Sequence, residues 1–340
     1  MRPFSLYHAN RAEDAVTTAL TQPTPADTPP TQAPGQFIAG GTTILDLMKL
    51  DVMRPEILVD ITALPATIDA TDEGIRFGAQ VKMAEAAEHP AVLRDYPVIA
   101  ESLKLAASQQ IRNMASLGGN VLQRTRCAYF RDTSYRECNK REPGSGCAAL
   151  VGYNRLHAIL GVSDSCIAWY PGDFAQALVA LDAEIDLTGS GGTRTIPFAE
   201  LHRLPGDTPH VETVLAPGEV ISSIFVPAGG WTPRSHYLKI RDRESYAFAL
   251  ASAAVALELA GETVQQARIA LGGLATVPWR AQAAEESLLG GPLNEETATA
   301  AAEIAFADAQ TVQHNAYKVP LGQQTLIRAL LETAQMEVAA

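Results

Sequence analysis

Every cysteine of this 340-residue chain lies between Cys127 and Cys166, with Cys138 and Cys147 inside that window. Such clustering needs a cause, and covalent or metal chemistry supplies one. The stretches between them are ten, eight and eighteen residues long. There is no C-x-x-C knuckle of a structural zinc site and no compact run of a small bacterial ferredoxin. Arg124, Arg126, Arg131, Arg136, Lys140 and Arg141 crowd the same segment in a chain whose net charge is -12. Positive charge lowers thiol pKa and offsets the negative charge of a thiolate-held cluster. N-K-R-E-P-G-S-G (Asn139 to Gly146) is a turn-rich loop that can fold closely around a cofactor. A four-thiolate [4Fe–4S] site comes first from these residues, with two disulfides, structural zinc and unrelated buried cysteines left open.

The remaining composition narrows the class. With 47% hydrophobic and 19% charged residues the chain is globular, and its length suffices for two or three ordinary cores. The acidic balance argues against a nucleic-acid or anionic-membrane surface. The apolar run Ala247 to Leu257 is too short to span a bilayer. Met1 to Asn10 carries one arginine and no apolar core of a signal peptide. The expectation is a chain that stays in the cytoplasm or leaves it folded, attached to another protein.

In chain order, Pro3 to His8 reads as a strand and Ala12 to Leu20 as a helix. Thr21 to Gly35, with five prolines, reads as an exposed loop. Then Gln36 to Ala39 reads as a strand, Gly40-Gly41-Thr42-Thr43 as a tight turn, and Ile44 to Leu50 as a helix. Strand, glycine turn and helix start have the form of a phosphate cradle, because glycines let backbone N–H groups approach an anion. A plain structural turn has the same sequence, and neither the Rossmann nor the P-loop pattern is present.

Ile57 to Ile61 and Ile75 to Gln80 read as strands, Lys82 to Glu88 and Tyr96 to Ala107 as helices, and Gln110 to Asn120 as a second glycine turn. Two such turns could clamp a dinucleotide pyrophosphate from both sides. Beyond the cysteines come a helix (Asp173 to Ala183), a hairpin (Glu184 to Pro197) and a strand (Glu219 to Pro227). From Trp231 the pattern is α+β again, with strands at His236 to Lys239, Ala247 to Leu257 and Val264 to Leu271. Helices are expected at Trp279 to Leu289, Glu295 to Ala309 and Pro320 to Met336.

Several residues have ordinary explanations. None of the seven histidines stands in H-E-x-x-H or another short metal spacing. Ser145 in G-S-G lacks the strand-to-helix elbow of a serine nucleophile. Trp169 and Tyr170 pack on a cluster or simply in a core, and the alternation Asp182, Glu184, Asp186 reads as a solvated strand face.

The order of F-I-A-G-G-T-T-I-L-D-L-M-K, A-S-L-G-G-N, P-G-D-F-A-Q-A-L, Y-L-K-I-R-D-R-E-S-Y-A-F-A-L and A-L-G-G-L-A-T-V-P-W-R-A resembles the FAD-binding subunits of molybdenum hydroxylases. Xanthine dehydrogenase, CO dehydrogenase and bacterial aldehyde oxidoreductases belong to that family. The inserted L-Q-R-T-R-C-A-Y-F-R-D, C-N-K-R-E-P-G-S-G-C-A-A-L and G-V-S-D-S-C-I-A resemble most the flavin subunit of heterotrimeric periplasmic aldehyde oxidoreductases, which carries FAD and a [4Fe–4S] cluster.

The resemblance implies an α+β chain. A two-part FAD-binding domain of the PCMH/vanillyl-alcohol-oxidase type (1–62 and 63–228, with the cysteine insertion at about 123–167) precedes a CO-dehydrogenase-flavoprotein-like α+β domain (229–340). It places the FAD pyrophosphate in the loop Phe37, Ile38, Ala39, Gly40, Gly41, Thr42, Thr43 and Ile44. Ser116, Gly118, Gly119 and Asn120 form the second FAD loop, Asp173 holds the adenosine portion, and Ile221 and Lys239 lie near the adenine and the flavin edge. A solvated surface position is the alternative for Lys239. Cys127, Cys138, Cys147 and Cys166 would hold the [4Fe–4S] cluster, expected to be mainly structural.

The implied function is electron transfer without substrate chemistry in this chain. An aldehyde would be oxidised at molybdopterin in a large partner, and a small partner's [2Fe–2S] clusters would feed the FAD here, which reduces an external acceptor. The location implied is the periplasm, as part of a folded exported complex, or otherwise the cytoplasm. A flavin subunit of the hydroxybenzoyl-CoA reductase type and a non-catalytic zinc-binding assembly protein are the alternatives.

Overall fold

The protein, seen as a computed structural model, is described for residues 1–22, 24–25 and 28–338. Three separate sheets organise these residues.

The first sheet is parallel. β1 (Ser5–His8) and β2 (Gly35–Ile38) flank β3 (Ile57–Asp60), so that Ser5 and Gly35 both stand level with Ile57. The I-L-V run of β3 is buried, as a central parallel strand covered on both faces requires. The helix Ala12–Ala19 joins β1 to β2, and the helix Ile44–Lys49 joins β2 to β3.

β4 (Ile68–Thr71), β5 (Gly74–Gly78), β6 (Glu184–Gly189), β7 (Gly192–Pro197) and β8 (Val220–Pro227) form an antiparallel sheet in the order β4-β5-β8-β6-β7. β4 escapes the sequence reading because I-D-A-T is short, mostly exposed and lies at the sheet edge, where one apolar face is not needed. The helix expected from Tyr96 starts at Pro97, at a first-turn position where the missing N–H costs nothing. Phe77, Ile99, Leu103, Phe174, Leu178 and Ile224 share the core between this sheet and its helices.

The third sheet, in the order β12-β11-β10-β9, consists of β9 (Ser235–Ile240), β10 (Ala251–Ala260), β11 (Thr263–Gly272) and β12 (Trp279–Arg280). Its two faces are buried against different partners. Ala254 and Ala256 of β10 pack into the core of the second sheet, whereas Ala253, Val255 and Leu257 pack under the C-terminal helices. Alternate residues of a strand point to opposite faces, so a continuous small-apolar run is what a strand sandwiched in this way needs. Where the sequence reads one helix from Trp279, Trp279–Arg280 is an edge strand and the helix spans Gln282–Leu288. The helices Glu295–Ala305 and Lys318–Ala334 complete this layer, the former capped by Asn294 accepting from Glu296 and Thr297 N–H. Among the described residues no helix is long and apolar enough to cross a membrane.

Candidate functional site

A cleft of about 390 Å³ runs between the first two sheets and the cysteine segment. Phe37, Ala39, Gly40, Gly41, Thr42, Thr43 and Ile44 line one wall, and Ser116, Gly118, Gly119 and Ile221 line it further along. The two glycine loops meet at Gly40, where a Cβ would lie 2.0 Å from the Met114 carbonyl oxygen; only glycine permits that contact. Gly41 has φ of +73°, a left-handed conformation that favours glycine. The second loop is folded differently from a simple turn. Ser116 caps the short helix Leu117–Val121, its Oγ accepting from Gly119 N–H at 3.3 Å, so the glycines sit in a first helical turn.

Four expected residues stand off the cleft. Ile38 packs toward the core of the cysteine segment, and Asn120 donates to Met83 Sδ at 3.3 Å. Asp173 and Lys239 meet each other: Lys239 Nζ lies 2.8 Å from Asp173 Oδ2 and also donates to the Leu105 carbonyl. Neither lines the cleft. The lysine side chain is buried, so the surface alternative for it is corrected.

Of Thr21 to Gly35, the described residues do not form a wholly exposed loop. Pro29 and Thr31 are buried, and Gln22, Thr24, Pro25, Thr28, Pro30 and Ala33 line the cleft. The Gln32 amide donates to the Arg141 carbonyl at 3.0 Å, which ties this segment to the turn between Cys138 and Cys147. Pro23, Ala26 and Asp27, part of the same expected loop, lie outside the described residues.

The cleft also has a charged wall that no motif announced. Glu212 is met by Arg124 at 2.6 Å and by Lys140 at 2.8 Å. Burial works to raise the Glu212 pKa, but the two cations outweigh it and bring it down to about 2. Lys140 lines both this cleft and the cavity among the cysteines. His202, also on the wall, donates from Nε2 to the Val121 carbonyl at 2.9 Å, and burial lowers its pKa to about 4.

All four cysteines are free thiols gathered around one small cavity of about 10 Å³. Cys138 and Cys147 pair as an isolated antiparallel bridge, which closes the Asn139 to Gly146 turn. Within that turn the Ser145 hydroxyl accepts from Cys138 N–H at 3.0 Å, a turn role. Backbone N–H groups face the sulfurs: Phe130 and Tyr129 at Cys127, Arg141 and Lys140 at Cys138, Ala149 and Ile167 at Cys147, and Ala168 at Cys166. Burial pushes Cys127 up to about 12 and raises Cys138. A hydrogen bond from the Cys166 thiol draws Cys147 down to about 7, and the same bond, with burial, holds Cys166 well above its ordinary range. His157 Nε2 lies 3.1 Å from Cys127 Sγ, with the Trp169 ring edge-on beside it.

Among the described residues no group of three or more His, Cys, Asp or Glu could hold a single metal ion. Between Val121 and Phe174 the only helix is the four-residue Ala128–Arg131. The thiols are therefore carried mainly by loops.

Residues 2–229 match the family described as FAD binding domain in molybdopterin dehydrogenase, and residues 236–333 match the CO dehydrogenase flavoprotein C-terminal domain. The aldehyde oxidoreductase FAD-binding subunit PaoB of Escherichia coli is 46% identical over 307 residues, covering 88% of this chain and 92% of that one. The carbon monoxide dehydrogenase medium chain of Hydrogenophaga pseudoflava is 28% identical, covering 87% and 88%. A solved structure of carbon monoxide dehydrogenase from the same organism, lacking the Mo-pyranopterin moiety, superposes with a TM-score of 0.73 at 26% identity over 98% of this chain and 97% of that one. With both halves matched in order and its cleft lined mainly by the first, the chain belongs to the FAD-binding medium subunits of the molybdenum hydroxylases.

Proposed function

We propose that this chain is the FAD- and [4Fe–4S]-containing electron-transfer subunit of a molybdenum-dependent aldehyde oxidoreductase. It works beside a large molybdopterin-binding subunit and a small [2Fe–2S] subunit and serves an external acceptor. The observation that carries the reading is the convergence of four free cysteines on one cavity next to the cleft. A cubane cluster takes one thiolate per iron, so it needs four sulfurs around a shared space rather than three ligands on one ion. The backbone N–H groups facing the sulfurs would stabilise thiolate charge. The aldehyde reading is supported by the 46% identity to an aldehyde oxidoreductase subunit.

Bound FAD supplies chemistry that accepts electrons singly or in pairs, while the protein sets access and potential. This chain's residues have narrower tasks. The Gly40–Thr43 and Ser116–Gly119 backbones approach the dinucleotide, and Cys127, Cys138, Cys147 and Cys166 hold the cluster.

The test is the absorption spectrum of the purified chain with iron, sulfide and zinc analysis, repeated on Cys138→Ala. Flavin bands over a broad iron–sulfur shoulder, with about four irons per chain that are lost in the variant, are expected. Stoichiometric zinc without flavin defeats the reading.

A further inference from the structure

We propose that Asp46 is a positioning residue through which the cysteine segment holds the glycine loop of the cleft in its binding shape. The inference rests on the FAD reading of the cleft.

The helix Ile44–Lys49 continues directly from Gly40–Thr43, so its placement fixes the loop. Six residues make too short a helix to hold its own position, and it must be fixed by what surrounds it. Those surroundings are the cysteine segment. Arg131 grips Asp46 through both oxygens, Nη1 to Oδ2 at 2.7 Å and Nη2 to Oδ1 at 3.0 Å, and Arg126 Nη1 adds a bond to Oδ2 at 3.0 Å. Leu47 and Met48, on the same helix, pack in one core with Cys127, Phe130, Cys138 and Cys166. Arg126 and Arg131 flank Cys127 on either side.

None of Asp46, Arg126 and Arg131 lines the cleft. Their effect on a ligand there must act through the loop. A bidentate Arg–carboxylate pair is directional as well as strong, which suits a task of fixing orientation. Without the carboxylate the helix would lose the charge that ties it to both guanidinium groups of the cysteine segment.

The geometry also makes the coupling reciprocal. Whatever orders the cysteine segment orders the loop, and a ligand that needs the ordered loop must stabilise the segment by the same factor.

The experiment uses the purified full chain with its metal and FAD content measured. FAD is removed, and rebinding is followed by quenching of flavin fluorescence for wild type, Asp46→Asn, Asp46→Glu and Arg131→Met. The expected result is FAD affinity weakened about tenfold in Asp46→Asn and Arg131→Met, within the usual range of such couplings. Iron content should stay unchanged and Asp46→Glu should recover most of the loss. In wild type, saturating FAD should also slow iron loss to a chelator, and in Asp46→Asn it should not. Wild-type FAD affinity in a folded Asp46→Asn protein overturns the proposal, as does chelator resistance indifferent to FAD in wild type. Should wild type itself bind no FAD, the reading of the cleft fails before this inference is reached. A far-UV and thermal-melt comparison identifies a variant that has lost its fold; Arg131→Met, altered outside the helix, then decides.

Discussion

Lys239 Nζ and Asp173 Oδ2 are 2.8 Å apart, and their side chains are 1% and 4% exposed. Asp173 stands at the start of the helix Phe174–Ala180 and Lys239 in β9, so the pair joins the FAD-binding part to the third sheet. Tyr237 donates to the other carboxylate oxygen at 2.8 Å. A charge pair this dry is held by mutual neutralisation, and removing one member strands the other.

Lys239→Met should therefore destabilise the protein by about 3–5 kcal/mol, the usual cost of leaving one buried charge without its partner. Urea denaturation of the variant against wild type measures it. A loss under about 1 kcal/mol would mean that the pair is dispensable for holding the two parts together.

His236 makes the same junction sensitive to alkali. It lies 2.8 Å from Glu101 and 3.2 Å from Glu332, and these partners, Glu101 foremost, raise its pKa above the ordinary 6.5. Native protein then holds a proton that the unfolded chain releases. The stabilisation is full below about 6.5 and fades as pH rises through the elevated native value. The urea midpoint of wild type should fall between pH 6 and pH 9 by more than that of His236→Gln, and parallel curves would remove His236 from the account.

Glu212 has the opposite pH dependence. Burial opposes its ionisation, yet Arg124 and Lys140 bring its pKa from 4.5 down to about 2. Its contribution is present above about 4.5 and is lost as pH falls toward 2. Glu212→Gln leaves two buried cations facing an amide, with an expected cost of about 3–5 kcal/mol at neutral pH. Acid titration followed by tryptophan fluorescence should show a shallower loss of stability from pH 4.5 to 2 in the variant.

Gly40→Ala drives a methyl group to 2.0 Å from the Met114 carbonyl oxygen and 3.1 Å from Ala115 Cα, and neither backbone atom can turn aside. The two loops must part, and the flavin-to-protein ratio after purification should drop to near zero. Thr42→Ala, which removes a hydroxyl and a methyl group at the cleft wall and adds no clash, should retain most of its flavin.

Local pattern made much of this legible. F-I-A-G-G-T-T announces its own strand, turn and helix, and the four cysteines announce a common site because no other part of the chain has any. What escaped depends on contacts that no local pattern carries. Thr21 to Gly35 looks like solvent-facing chain by composition, yet Gln32 within it bonds to Arg141, 109 residues later. Asp173 and Lys239 each sit in a readable motif, but their meeting follows only from the packing of a helix start against β9. Glu212 lies in an irregular segment whose importance comes from two cations of the cysteine loop. β4 was missed because an exposed edge strand has no apolar face to declare it.

Lys318, at the start of the helix Lys318–Ala334, is buried and donates to the carbonyls of Leu156 and Gly273. Leu156 sits inside the cysteine segment, 162 positions earlier. On the ribosome the segment therefore emerges long before the helix that completes it. At about 5–20 residues per second, synthesis of the intervening chain takes roughly 8–30 s. Throughout that interval the segment belongs to a nascent chain that lacks this closing contact.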